Sequence, residues 1–180
     1  MKDFEYYLKK AGDYHGHICG GIIFGTKITL AAMKALGLDP EIKNKNLIVY
    51  TEVDRCMTDA VQVVTGCSLG HRSLKHLDYG KFAATFINTD TGIAVRATIK
   101  NDFVQDMSFD KLAVVVGGMP DEAIVSMQEV KMTVPETDLP GPPRKSTICS
   151  VCGEKIMDGK EVYRDNAAVC KGCAYTDFTI

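Results

Sequence analysis

Lys81 to Ile99 reads KFAATFINTDTGIAVRATI. Two β-rich runs, Lys81 to Asn88 and Ile93 to Ile99, flank the turn-forming residues Thr89, Asp90, Thr91 and Gly92, and AVRATI alternates as one face of a sheet would. The stretch predicts a β-hairpin. In front of it, LIVYTEV (Leu47 to Val53) predicts a strand, and Cys56 to Val64 returns to helical character before the turn-prone Thr65, Gly66, Cys67 and Ser68. Further upstream, Ile22, Ile23, Phe24, Ile28, Leu30, Ala31, Ala32, Ala35 and Leu36 mark a long, mostly buried helix ended by Gly37 and Pro40. Asp3 to Lys10 places Phe4, Tyr7 and Leu8 on one helical face, with Gly12 as the expected stop. Downstream, Leu112 to Val116 is too short to show a decisive period, so strand and helix both stay open, and Pro120, Asp121 and Glu122 make a helix start. Strands occurring singly and in a hairpin, with helices before and behind, predict an α+β class: helices on a mixed or antiparallel sheet.

The chain has 180 residues, 46% hydrophobic and 24% charged, with a mean hydropathy of -0.03. That is the composition of a folded globular protein of one ordinary domain plus a small appendage. Its net charge of -2 provides no global positive field for nucleic acid or anionic lipid. The most apolar stretch, Gly20 to Leu38, carries Lys27 and Lys34 and sits at the lower edge of the roughly 20 residues a membrane span requires. It reads as a buried helix, and no membrane association is expected. The first seventeen residues show no basic segment leading into an apolar run, so a cytoplasmic address is expected. Seven cysteines in a reducing compartment point to metal binding or thiol chemistry rather than disulfides.

From Val134 to Ser146, VPETDLPGPPRKS contains four of the six prolines, the composition of a stiff linker. The expected domains are therefore a core over 1–133, a linker over 134–146 and a small domain over 147–180. The last is too short to bury an independent core and needs a staple. Cys149-x2-Cys152 and Cys170-x2-Cys173, seventeen residues apart, have the spacing of a tetrahedral four-cysteine structural zinc site. Free thiols or two disulfides are the other reading of these four. Arg144 to Ile180 holds six Lys or Arg and five Asp or Glu, interleaved rather than striped, which argues against a nucleic-acid partner.

His15, His17 and Cys19 alternate in HGHIC; if extended, that window aims all three side chains one way. Imidazole and thiolate suit zinc or another late transition metal, so a second metal is expected there. The plain alternative is two unrelated histidines and a core cysteine. In RCMTDAVQVVTGCSLG, Cys56 and Asp59 are three apart and would share a helix face, with Cys67 after the terminal glycine. Composition leaves Cys56 and Cys67 open between small buried hydrophobes and functional thiols. Gly20-x4-Gly25 followed by Thr26-Lys27 imitates a phosphate loop but has its Lys and Thr in the wrong order. His71 and His76 fall in the polar run HRSLKHLDYGK and read as surface residues rather than ligands.

Taken in order, HGHICGG, CMTDAVQVVTGCSLG, LDYGKFAATFINTDTGIAVR and the paired CxxC tail resemble the FmdE family, named for a subunit of formylmethanofuran dehydrogenase, in a version with a C-terminal zinc finger. The resemblance spans nearly the whole chain. It implies an α+β core that forms homodimers and a metal-binding cleft comprising His15, His17, Cys19, Cys56, Asp59 and Cys67, with Tyr79, Gly80 and Lys81 nearby. Gly20 stands where the family often has proline, and His71-Arg72-Ser73 replaces its usual Lys-Gly-Asn, departures that bear on the cleft entrance.

The function expected from this reading is a metal-binding accessory subunit or metal-binding protein of molybdenum- or tungsten-dependent one-carbon redox metabolism, with redox-enzyme subunits as partners. The alternatives are a free-standing metal- or thiolate-dependent enzyme with Cys56, Cys67 and Asp59 in catalytic roles, or a redox or metal sensor acting through the finger.

Overall fold

β1 (Leu47–Thr51) is an interior strand of a five-stranded sheet of order β2-β1-β3-β4-β5, built with β2 (Leu74–His76), β3 (Ala83–Asn88), β4 (Ala94–Ile99) and β5 (Val125–Val130). β1 runs parallel to β2 and antiparallel to β3, and β3, β4 and β5 continue antiparallel, so the sheet is mixed and the class is α+β. The computed structural model describes residues 3–100 and 107–175. The chain divides into two compact units, Met1–Met132 and Thr133–Ile180.

The hairpin forms where its residues predict, with Phe86 opposite Val95 and Ala84 opposite Ala97. Both edge strands of the sheet escape the sequence reading. β2 lies in the stretch read as a polar turn, and His76 closes a strand of only three residues. β5 follows a helix of a single turn, α5 (Asp121–Ile124), because its residues find a partner in the open edge of β4, from Ala94 opposite Val130 to Ile99 opposite Val125. The ambiguous run at Leu112 resolves as helix α4 (Phe109–Gly118), with Leu112 and Val116 buried.

α1 (Phe4–His15), α2 (Gly20–Ala35) and α3 (Met57–Thr65) bury a common core with the sheet, centred on Ile22, Ile23, Ile28, Met57, Val61 and Phe86. α1 does not stop at Gly12. It runs to His15 and ends on Gly16, whose φ of 95° is left-handed and whose amide donates to the Gly12 carbonyl at 2.8 Å. Gly12 serves packing instead, since a Cβ there would sit 2.7 Å from Ile18 Cγ1. The buried lysine of α2 is fully answered: Lys27 Nζ donates to the Met119 carbonyl at 2.7 Å and pairs with Asp121 at 3.0 Å.

Gly25, from the phosphate-loop imitation, and Gly21 let α2 and α3 approach. A Cβ on Gly25 would lie 2.9 Å from Met57 Cα and 3.0 Å from Ala60 Cβ, and one on Gly21 would lie 2.9 Å from Cys56 Cβ. Because the obstacle at Gly25 is backbone, Gly25→Ala is expected to force the helices apart and cost about 1–3 kcal/mol, as overpacking does. Urea unfolding should show the midpoint falling at constant slope; an unchanged midpoint would refute this account.

The second unit contains the hairpins β6 (Ser146–Ile148) with β7 (Lys155–Met157) and β8 (Val162–Arg164) with β9 (Ala167–Val169), then α6 (Lys171–Tyr175). The proline-rich run belongs to this unit. It forms a 3-10 turn at Glu136–Asp138, Asp138 pairs with Lys160 at 3.6 Å, and the Arg144 amide donates to Asp158 at 3.3 Å. Its core is small: Cys149, Ile156, Val169 and Ala174 are the buried members.

Candidate metal centres

In the second unit all four sulfurs of Cys149, Cys152, Cys170 and Cys173 lie within 4.8 Å of one another. Zn–S bonds of about 2.3 Å in a tetrahedron separate sulfurs by about 3.8 Å, and Cys152 Sγ to Cys170 Sγ is 4.0 Å. The Cys170 amide donates to Cys149 Sγ and the Cys173 amide to Cys170 Sγ, each at 3.3 Å. Backbone amides, Cys152's first, hold the Cys149 thiol down at about 6. The Cys173 thiol, bonded to Cys170 and crowded by the other cysteines, is pushed up to about 12. Four thiols this close cannot all ionise without a cation, and a bound dication reverses that repulsion. The donor set fits a metal with a closed shell.

In the first unit the HGHIC segment is not extended. His15 is the last residue of α1, Gly16 turns the chain in the left-handed region, and Cys19, with φ -131° and ψ 171°, is the N-cap of α2. A helix end, a turn and a helix start thus bring a nitrogen of His15, a nitrogen of His17 and the sulfur of Cys19 within 4.8 Å of one another. The two imidazole rings are 4.7 Å apart. His17 is exposed while His15 and Cys19 are half-buried, so the cluster opens to solvent on one side.

α3 enters from 44 residues away. Asp59, in its first turn, contacts His15 Nδ1 through Oδ2 at 2.7 Å, and Gln62 Nε2 donates to its other oxygen at 3.4 Å. A carboxylate oxygen accepts, so Nδ1 carries the hydrogen of this contact and Nε2 is the nitrogen left to ligate a metal. Cys56 is the N-cap of α3 in helical conformation, φ -44° and ψ -29°, and its carbonyl accepts from the Asp59 amide at 3.1 Å. Its thiol hydrogen-bonds with that of Cys19 and is raised by burial first and by that hydrogen bond second. Cys56 lies outside the mutual radius of the His15, His17 and Cys19 cluster.

Cys67 is elsewhere. α3, nine residues and about 13 Å long at 1.5 Å per residue, separates it from Cys56. It is 3% exposed, its Sγ donates to the Leu47 carbonyl at 3.5 Å, and burial raises its thiol. The expectation that Cys67 converges on the histidines therefore meets a core thiol instead. Tyr79 is exposed and Gly80 adopts a φ of 65° in the turn that delivers Lys81. His71 bonds Ser68 Oγ at 2.9 Å.

Beside the cluster, Gly20, Gly21 and Phe24 of α2 line a groove of about 860 Å³ with Lys81, Phe82, Arg96 and Thr98, among others. A Cβ on Gly21 would lie 3.7 Å from Cys19 Sγ and 3.5 Å from Cys56 Sγ, so the glycine wall of the groove borders both thiols. Arg96 is held bidentately by Glu52, at 2.6 and 2.8 Å. Besides Lys81 and Gly20, the sequence singles out none of these groove residues: Arg96 and Thr98 reach the groove through the β3–β4 and β4–β5 registers.

Among the described residues no helix is long and apolar enough to cross a membrane. The family model described as "Prokaryotic dksA/traR C4-type zinc finger" matches residues 143–174. A "Probable S-adenosyl-L-methionine-binding protein" of Archaeoglobus fulgidus is 35% identical over 101 residues, which are 54% of this chain and 28% of that protein, so the chain spans little more than a quarter of the relative's length. The crystal structure of a tungsten formylmethanofuran dehydrogenase FmdE-like protein from Syntrophus aciditrophicus superposes with a TM-score of 0.66, at 22% identity over 98% of this chain and 95% of that one, a likeness of fold. The model described as "FmdE, Molybdenum formylmethanofuran dehydrogenase operon" matches residues 14–123, well over half of the chain and including the His/Cys cluster, α3 and the hairpin: this protein belongs to the FmdE family.

Proposed function

We propose that the first unit binds a late transition metal through His15, His17 and Cys19, with Cys56 within reach through Cys19, and that the second unit binds a structural zinc through Cys149, Cys152, Cys170 and Cys173. The observation that carries this reading is the His/Cys cluster, open on one side, with one histidine oriented by a half-buried carboxylate. Asp59 fixes the His15 ring and tautomer, the arrangement that metal-ligating histidines recurrently show. Fewer than four firm protein ligands leave a position for water or another molecule, and there a bound metal would act as a Lewis acid or activate water. The groove confines what reaches that position. The names of the family and of the Syntrophus protein support a role as an accessory or metal-binding protein of molybdenum- or tungsten-dependent one-carbon redox metabolism. Seven free thiols suit a reducing, cytoplasmic setting.

A metal-dependent enzyme is the second reading, favoured by the same open position beside the groove. Within it Asp59 is a proton acceptor or a positioning residue. A thiolate nucleophile at Cys56 or Cys67 has less support, because burial raises both thiols.

Metal analysis of the full chain tests the two centres apart. The native protein is expected to bind two metal equivalents, the variant with all four tail cysteines changed to serine one, and His17→Ala combined with Cys19→Ser one. A tail-serine variant that binds no metal would refute the first-unit site.

We also propose a homodimer. α2 spends its apolar face inside its own unit, with Ile22, Ile23, Ile28, Ala31, Ala32 and Met33 at most 1% exposed, and so offers a partner little apolar surface. The support is α4, where Val114 is 77% exposed and Phe109 51%. Sedimentation should give a dimer that Val114→Asp converts to monomer; a native monomer at micromolar concentration would refute the proposal.

A further inference from the structure

Among the described residues, the groove beside the His/Cys cluster is lined by cations and no acid. α2 starts on it with no acidic residue in its first turn and no side-chain cap from Cys19, so the positive end of its dipole borders the groove. The lining adds Lys81, Arg96 and Lys100 and no acid. Arg96 is neutralised by Glu52, itself 5% exposed. Lys100 donates to the Glu122 carbonyl at 2.6 Å, which positions its ammonium without cancelling the charge. Among the described residues neither Lys81 nor Lys100 has a carboxylate partner. Among the described residues, two positive charges with no carboxylate partner therefore line one groove of a chain whose net charge is -2. Phe24 and Phe82 line it too, and its volume, about 860 Å³, falls in the range of small-ligand sites.

We propose that this groove binds a small organic oxyanion, a carboxylate or phosphate on a flat apolar body, with the acid group at Lys81 and Lys100, the body along Phe24 and Phe82, and the far end toward Cys19 and Cys56. The inference deepens the metal-site reading and rests on it for what the far end meets, whereas the grip on the oxyanion needs no metal. Fixed cations and helix amides give such a ligand orientation, and the glycine wall at Gly20 and Gly21 leaves room for its approach to the thiols. A neutral ligand of the same shape gains only the aromatic contact.

The test uses the full chain and 8-anilinonaphthalene-1-sulfonate, a fluorescent aromatic anion, with neutral Nile red as control. Reversing both lysines, Lys81→Glu with Lys100→Glu, is expected to weaken the anionic dye about tenfold or more, the effect of two near-surface charges, and to leave Nile red unchanged. Benzoate or phenyl phosphate should displace the dye where benzamide does not, and whichever acid competes better identifies the headgroup. Equal dye affinity in the native and double-reversed proteins, or displacement by benzamide as good as by benzoate, would overturn the proposal. Metal content measured on the same samples keeps the two readings separate. A native first-unit site that binds no metal defeats the metal reading and leaves the dye result standing, whereas intact metal with charge-insensitive dye binding defeats the groove alone.

Discussion

Cys170→Ser is expected to release the metal of the second unit and to unfold residues 146–175, leaving the first unit folded. The buried core of that unit comprises Cys149, Ile156, Val169 and Ala174, far less than the ordering entropy of some thirty residues requires at about 1–2 kcal/mol each. A structural zinc contributes roughly 10–16 kcal/mol of apparent binding energy, and in a unit this small that energy is folding energy. Cys170 is a severe choice because its amide and sulfur both serve the site: the amide donates to Cys149 Sγ, and the sulfur accepts from the Cys173 amide. In an amide NMR spectrum the resonances of the second unit should collapse to unfolded positions while those of α1 to α4 and the sheet persist. A dispersed, protease-resistant second unit without metal would show that the four thiols do not hold it.

Asp59→Ala is expected to weaken metal binding in the first unit about 10–100-fold, the usual loss when the carboxylate behind a ligating histidine is removed. The variant cuts no proposed ligand. It frees the His15 ring to rotate and to place its hydrogen on either nitrogen, so the free lone pair no longer points one way. Asp59→Asn separates two contributions: an amide oxygen can still accept from Nδ1, but the negative charge that makes the ring a stronger donor is gone. A fall in the alanine variant with recovery in asparagine would assign the effect to orientation, and a fall in both to charge. Cobalt(II) titration against a competing chelator, followed by its visible absorption, measures the affinity. Alanine and native affinities within about twofold would sink the positioning role of Asp59.

The groove and the metal cluster meet at glycine. Gly21 keeps α2 close enough to α3 for the Cys19 and Cys56 thiols to hydrogen-bond, and the same absence of a side chain opens the wall toward the groove. Any side chain there would have to displace Cys56 Cβ, at 2.9 Å, before it met solvent. One residue without a Cβ thus couples helix packing to access.

What can be read from the chain alone divides from what cannot by sequence distance. The CxxC pairs are local: two residues between thiols set a knuckle whatever surrounds them, so the four-cysteine cluster is legible from spacing. The hairpin is legible for the same reason, since alternating residues around Thr89–Gly92 need only each other. The two unread strands depend on partners: β2 pairs with β1 across the whole of α3, and β5 pairs with β4 from beyond α4. His15, His17 and Cys19 sit within five residues, yet it is the left-handed turn at Gly16 between two helices, not an extended run, that brings them together. The rest of the site is tertiary. Asp59 reaches His15 across 44 residues, Cys67 is carried to the far end of α3 into the core, and Lys81, Arg96 and Lys100 become neighbours only because β3 and β4 run antiparallel beneath the start of α2. Spacing decides a contact when fewer residues separate two groups than one turn of helix or one tight loop spans; beyond that, register and helix packing decide it.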